Sequence, residues 1–125
     1  MQIHLFGART AAGESFYRHA LAQQFNIPIY RYSRQLVSSS NLAFVDFCDP
    51  DSFVPAGDLD QGCVWVSFAP IWLFSSFLLR LYESNSPYLT NLRGLVICSS
   101  SSVISKRFFF NKSDIALSSR LFSSE

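Results

Sequence analysis

The sequence predicts an α/β domain built on a doubly wound, all-parallel sheet. Short apolar segments alternate with helix-like segments, and each apolar segment ends in a polar or glycine-containing turn. That alternation is typical of parallel sheets with helices on both faces. Because crossovers between parallel strands are right-handed, we expect five strands in the order 3-2-1-4-5. A ligand would bind at the carboxyl ends of these strands, above the first and the fourth.

Length and composition indicate a single domain over residues 1–125. A chain of 125 residues with 49% apolar and 15% charged residues has the composition of a folded domain. The formal net charge of +1 predicts no strong attraction to nucleic acid or to an anionic membrane. The N-terminus has no basic segment followed by a long apolar one, so we expect no signal peptide.

The cysteines and histidines show no pattern that would hold a metal ion. Cys48, Cys63 and Cys98 form no CxxC pair, and His4 and His19 are far apart in the sequence. An odd, scattered set of cysteines is typical of reduced thiols in a cytoplasmic protein. We therefore expect a cytoplasmic location and no metal site.

Apolar runs and breaker residues place the individual elements. Strands are expected at residues 2–6, 29–33, 42–47, 63–68 and 92–98. Helices are expected at residues 12–24, 71–83 and 115–124, and a short one begins at Asp49-Pro50. Residues 106–110 fit neither pattern.

Residues 63–79 admit one alternative, a membrane-spanning helix. This stretch of 17 residues carries no charge and lies at the lower limit for a span. Pro70 lies near its middle, and three serines dilute its apolar character. A buried strand, a turn at Pro70 and an amphipathic helix explain the same residues, so we favour that interpretation.

The turn after the first strand carries the strongest functional signal. Gly7 allows a tight turn out of the strand, and Gly13 allows the following helix to pack closely on the sheet. The start of that helix would offer free N–H groups to a pyrophosphate. Arg9 and Thr10 occupy the region where a dinucleotide-binding fingerprint has its middle glycine. A plain strand-to-helix turn explains the two glycines equally well.

The end of the second strand predicts the type of dinucleotide. In NAD-binding sheets an acidic residue about 20 positions after the glycine motif accepts from the ribose 2′-hydroxyl. Here the strand ends with Ser33 and Arg34, and an arginine suits the 2′-phosphate of NADP. Arg9 could approach the same phosphate, and Ser33 could add a hydroxyl contact. The alternative is a solvated arginine at a strand end.

Three further positions lie at predicted strand ends. Asp46 and Asp49 follow the third strand, where a role near the adenine or simple helix capping is expected rather than acid–base chemistry. Ala69 is a small residue against which a cofactor could lie, or an ordinary strand terminator. The serines of residues 99–102 follow the fifth strand and could hydrogen-bond a substrate oxygen or cap the local turn.

These motifs together resemble a known family. The segments FGARTAAG, YSR, VDFCDPDSF, VSFAP and VICSSSSV are similar to the N-terminal, Rossmann-like half of extended short-chain dehydrogenases/reductases of the NAD(P)-dependent sugar-nucleotide epimerase/dehydratase group. The resemblance implies that NADP or NAD binds, and that Asp46 or Asp49 contacts the adenine. It also implies that Ser100 or Ser101 supplies a hydroxyl on the substrate side.

The chain departs from that family at three points. Thr10 stands near the family's middle glycine. The Tyr-x-x-x-Lys pair, in which tyrosine serves as general acid and base, is absent: Phe108 and Lys112 have the spacing without the hydroxyl. The family continues into a substrate-binding lobe, so the resemblance implies a truncated form.

Two hypotheses of different classes follow. The first is an NADP-preferring, dinucleotide-binding protein of the epimerase type without complete catalytic machinery. The second is a non-enzymatic nucleotide-sensing or interaction module that pairs through an unprotected edge of the fifth strand, with a second copy or a complementing chain. The size of the protein in solution and its response to NADPH would discriminate between them.

Overall fold

A computed structural model describes residues 1–35 and 42–98, and the backbone of residues 103–107. One sheet of six strands organises the chain, in the order β3-β2-β1-β4-β5-β6. The strands are β1 (Gln2–Phe6), β2 (Ile29–Ser33), β3 (Leu42–Phe44), β4 (Cys63–Ser67), β5 (Leu92–Cys98) and β6 (Val103–Arg107). The first five are parallel and follow the predicted order, so the Rossmann-like fold class is confirmed.

Two α-helices flank the described part of the sheet. Helix α1 (Ala11–Ala22) follows β1, and helix α2 (Ile71–Glu83) follows β4 with the predicted bounds. Helix α1 ends at Ala22, two residues before its predicted end at residue 24. It ends there because Gln24 has a φ of 53° and the Phe25 N–H donates to the Ala20 carbonyl. A left-handed residue just past a helix is a common way of satisfying its last carbonyls.

The third crossover differs most from the prediction. Strand β3 covers three residues rather than six, and the connection to β4 holds a 3₁₀ turn, Pro50–Ser52, in place of an α-helix. Asp49 occupies the N-cap position of that turn, but its side chain makes no capping hydrogen bond. Its carbonyl instead accepts from the Ser52 hydroxyl at 2.7 Å. The capping role expected for the Asp49 side chain is therefore wrong.

The core lies on both faces of β1. Ile3 and Leu5 point towards α1, whereas Phe6 packs in the larger cluster that includes Phe74 and Phe77 of α2. All five residues of β1 are buried, as expected for a central parallel strand covered on both faces. This packing fixes where the turn after Phe6 emerges.

Buried polar side chains of β1 and β2 hold the connection between β3 and β4 against the sheet. The Tyr32 hydroxyl accepts from the Ala56 N–H at 2.8 Å and lies 2.6 Å from His4 Nδ1. The hydroxyl is therefore hydrogen-bonded on two sides, and burial lowers the pKa of His4 to about 4, so its imidazole is neutral near pH 7. Gln2 donates to the Asp58 carbonyl in the same connection. These bonds satisfy polar groups that would be costly to bury alone.

The fifth strand does not present the open edge that the sequence predicts. Strand β6 pairs with it antiparallel, from Gly94 opposite Arg107 to Cys98 opposite Val103. The expected unprotected edge at β5 is therefore wrong. Ser100, Ser101, the Phe108/Lys112 spacing and the helix expected at 115–124 lie outside the described residues.

The apolar stretch 63–79 is divided between two elements. Cys63–Ser67 forms β4, and α2 begins at Ile71 after the turn at Pro70. Among the described residues, no helix is long and apolar enough to cross a membrane.

Candidate functional site

A cleft of about 370 Å³ opens at the carboxyl ends of β1, β2 and β4. It gathers seven of the nine residues predicted to bind a cofactor: Gly7, Arg9, Thr10, Ser33, Arg34, Asp46 and Ala69. The other two, Gly13 and Asp49, do not line it. The cleft lies where a doubly wound sheet reverses its winding, which is the usual position for a ligand in such folds.

Gly7 brings two loops into contact at the base of the cleft. Its φ is +68°, a conformation that L side chains rarely adopt. A Cβ at this position would lie 2.5 Å from the Ala69 nitrogen and 2.8 Å from the Phe68 carbonyl carbon. The β1–α1 turn and the β4–α2 loop therefore touch through their backbones, and only glycine permits that approach.

Gly13 has a packing role one turn into α1. A Cβ there would overlap the Gly7 carbonyl oxygen and lie 3.1 Å from the Ala8 Cα. The helix start is therefore pressed onto the turn that precedes it. Gly13 shapes the floor of the site without contacting the cleft.

Thr10 is the N-cap of α1. Its Oγ1 accepts from the Gly13 N–H at 3.0 Å and donates to the Gly7 carbonyl at 2.7 Å. Because both bonds are internal, the hydroxyl stabilises the turn, and the residue that replaces the middle glycine is accommodated as a cap. The N–H groups of Ala11 and Ala12, in the first turn, have no partner within the helix. Together with the helix dipole they favour an anion at this point.

Two arginines flank the cleft. Arg34 is exposed at the end of β2. Arg9 Nε lies 3.7 Å from Glu14 Oε1, with side chains 42% and 47% exposed, and an ion pair that open contributes little to stability. Both guanidinium groups are therefore free to turn towards a phosphate, although Arg9 would give up a weak contact to do so.

Ser33 and Asp46 supply polar groups on the β2–β3 side. Ser33 is 8% exposed, and its Oγ accepts from the Gln35 N–H at 3.0 Å, which leaves its O–H as a donor. Asp46 Oδ1 accepts from the Cys48 N–H at 3.0 Å, which fixes the carboxylate. Each side chain is thus oriented by a local backbone N–H.

One wall of the cleft is apolar, which was not predicted from the sequence. Val45 and Phe47 alternate around Asp46, and Leu73 comes from the first turn of α2. Leu73 is 37% exposed, although α2 has a strong apolar stripe that faces the core. Its position in the wall of the cleft explains this exposure. The alternation around Asp46 is the signal that could have identified it.

A second cavity of about 420 Å³ continues from the first towards β5. The two share Thr10, Ala69 and Pro70. The second is otherwise lined by Ala12, Phe68, Ile71, Trp72 and Cys98. None of these described side chains is charged at neutral pH, since burial raises the pKa of the Cys98 thiol. The start of α1 therefore lies between two cavities. The cleft with Arg9 and Arg34 is the basic cavity, and the described lining of the second cavity is uncharged.

The described histidine and cysteine side chains form no metal-binding group. In residues 1–35 and 42–98, no group of three or more His, Cys, Asp or Glu side chains could bind a metal ion. His4 is in the core, and Cys63 is buried beneath the Asn91 carbonyl. The cleft and its continuation are thus the place where a ligand would meet predicted functional residues.

Comparison with known proteins found no similar protein. The chain matches no protein-family model, no curated protein and no solved structure. Function must therefore be argued from the geometry of the cleft.

Proposed function

We propose that this chain binds NADP, or a closely similar 2′-phosphorylated dinucleotide, across the two joined cavities. The observation that carries the proposal is that one cleft is lined by the N-cap of α1, Thr10, and by Arg9 and Arg34. The end of β2 supplies Arg34 and the β1–α1 turn supplies the other two, and a helix start and an arginine each suit a phosphate for a separate physical reason.

The diphosphate would lie against the start of α1. The N–H groups of Ala11 and Ala12 provide donors there, and the contact of Gly7 with the Ala69 backbone fixes the turn that precedes them. Thr10 keeps this turn rigid through its two internal bonds. A preorganised turn lowers the ordering cost of binding.

The adenosine half would occupy the basic cavity. Arg34 and Arg9 would bind the 2′-phosphate, and the Ser33 hydroxyl could donate to it. No carboxylate lies at the end of β2 to accept from a free 2′-hydroxyl, since the residues there are Ser33, Arg34 and Gln35. Asp46, fixed by the Cys48 N–H, would accept from the adenine amino group. The apolar side chains of Phe47 and Leu73 would contact the purine.

The proposal concerns binding, and the chain's own groups do no more than hold and orient the ligand. Hydride chemistry would belong to a bound nicotinamide. The sequence has no Tyr-x-x-x-Lys pair to move a proton beside it. We therefore propose a dinucleotide-binding protein rather than a specific reductase or epimerase.

Titration of the purified chain with NADPH and with NADH tests this function. We expect NADPH to bind more tightly, and Arg34→Ala to weaken NADPH binding about tenfold or more, because charge-assisted hydrogen bonds contribute roughly 1.5–3 kcal/mol. NADH binding should change little. Arg18→Ala is the matched control, since Arg18 is exposed on α1 and lines neither cavity.

Two results would contradict the proposal. One is a folded chain that binds neither nucleotide. The other is NADPH binding that Arg34→Ala and Arg18→Ala weaken equally, since that would indicate a non-specific charge effect.

A further inference from the structure

We infer that Trp72 is a specificity-determining residue that stacks on the second ring of a bound dinucleotide. This inference rests on the proposed function and adds the residue that distinguishes a dinucleotide from an adenosine phosphate. The ligand group it would take is a flat aromatic or dihydroaromatic heterocycle of the nicotinamide type.

Trp72 lies on the face of α2 that the core leaves uncovered. Trp72 is 58% exposed, whereas the chain's other tryptophan, Trp65, is 1% exposed in the core. Helix α2 buries Ile71 and Phe74 on its sheet-facing stripe, and position 72 lies off that stripe. Trp72 differs from exposed apolar side chains such as Val54 because it lines the cavity that adjoins the cleft, where its indole can contact a ligand.

The cavity beside Trp72 has the chemistry of a ring-binding site. Among its polar groups, the Thr10 hydroxyl is committed to the helix cap and the Cys98 thiol is protonated. Phe68 adds a second aromatic surface. A cavity whose described lining carries no charge and includes aromatic and small side chains favours a flat ring over a phosphate or a sugar.

The cavity beside Trp72 is continuous with the basic cavity, and this indicates which larger ligand carries the ring. Thr10, Ala69 and Pro70 line both cavities, so the start of α1 lies at their junction. A ligand whose diphosphate lies at that junction extends one half towards Arg34 and the other towards Trp72. Only a dinucleotide fills both halves, and 2′,5′-ADP reaches the basic half alone.

Affinity measurements with two ligands and three forms of the chain test the inference. We expect Trp72→Ala to weaken NADPH binding about tenfold, as removal of an aromatic platform for one base typically does. The affinity for 2′,5′-ADP should be unchanged. Trp72→Phe should restore most of the NADPH affinity, because a phenyl ring retains a stacking face. Val54→Ala serves as a control for loss of an exposed apolar side chain, since Val54 is 68% exposed and lines neither cavity.

The outcomes separate this inference from the proposed function. If 2′,5′-ADP and NADPH bind but Trp72→Ala changes neither affinity, or weakens both equally, the role of Trp72 is overturned and the basic site stands. If neither ligand binds the folded wild-type chain, the proposed function fails and the inference fails with it. Selective loss of NADPH affinity in Trp72→Ala, restored in Trp72→Phe, supports both.

Discussion

Gly7→Ala is expected to lower the free energy of unfolding by about 3 kcal/mol or more. A left-handed conformation costs a non-glycine residue roughly 1–2 kcal/mol, and forcing extra atoms into a packed site costs about 1–3 kcal/mol. Both apply, because Gly7 has a φ of +68° and its Cβ would meet the Ala69 nitrogen at 2.5 Å. Backbone atoms cannot turn aside as a side chain can. The loss would be a large fraction of the roughly 5–15 kcal/mol that stabilises a domain.

Urea denaturation of two variants measures this effect. Gly62→Ala is the matched control: a Cβ there would meet the flexible Arg93 side chain at 3.2 Å and no backbone atom. We expect Gly62→Ala to change the free energy of unfolding by less than about 1 kcal/mol. Equal midpoints for the two variants would show that the β1–α1 turn does not press against the β4–α2 loop.

Acidification from pH 7.5 to 4.5 is expected to remove about 2 kcal/mol of stability through His4. Burial lowers the pKa of His4 from 6.5 to about 4, and the side chain is 2% exposed. Between those pH values the unfolded chain binds the proton and the folded chain does not, so stability falls as the pH falls. The rings around His4 belong to Tyr30, Tyr32 and Trp65, none of which can supply a negative charge in this range.

Unfolding measurements across this range, with two variants, isolate the contribution of His4. His4→Asn retains an acceptor near the Tyr32 hydroxyl but cannot be protonated, so its stability should depend much less on pH. His19→Asn removes an exposed histidine and should leave the pH dependence of the wild-type chain intact. If His4→Asn lost as much stability on acidification as the wild-type chain, the folded state would already carry a charged His4.

Elements defined by local pattern were predictable. Strand β2, strand β5 and helix α2 have the predicted bounds, because Pro28, Pro70 and Asn85 mark their flanks and an apolar pattern fills each. The order of the parallel strands also follows from the alternation of elements, since handedness leaves few arrangements open.

Features that depend on distant contacts were not predictable. The path of the connection between β3 and β4 depends on Tyr32 and Gln2, far earlier in the chain, which hold Ala56 and Asp58. Strand β6 has no strong apolar pattern and owes its assignment to pairing with β5. In both cases the partner that decides the local structure lies dozens of residues away or on another strand.

Most residues of the candidate site were predicted from the sequence, but the roles of several of them were not. Ligands bind at the carboxyl ends of parallel strands, and this rule correctly predicted that one cleft would contain Gly7, Ser33, Arg34 and Asp46. Thr10 was expected near the ligand, but its hydroxyl is committed to the helix cap. Trp72 was not singled out, because the cavity beside it is formed together with Phe68 and Cys98, which only the fold brings close.

A two-dimensional ¹⁵N–¹H NMR titration of the chain with NADPH tests the central claim most directly, since it reports folding and location together. We expect a dispersed spectrum in which the largest shifts fall on the amides of Gly7, Ala11, Ala12, Arg34 and Ala69. The amides of α1's far end, around Gln23 and beyond, should stay in place. A dispersed spectrum that NADPH does not change, or shifts confined to residues outside the two cavities, would contradict dinucleotide binding at this cleft.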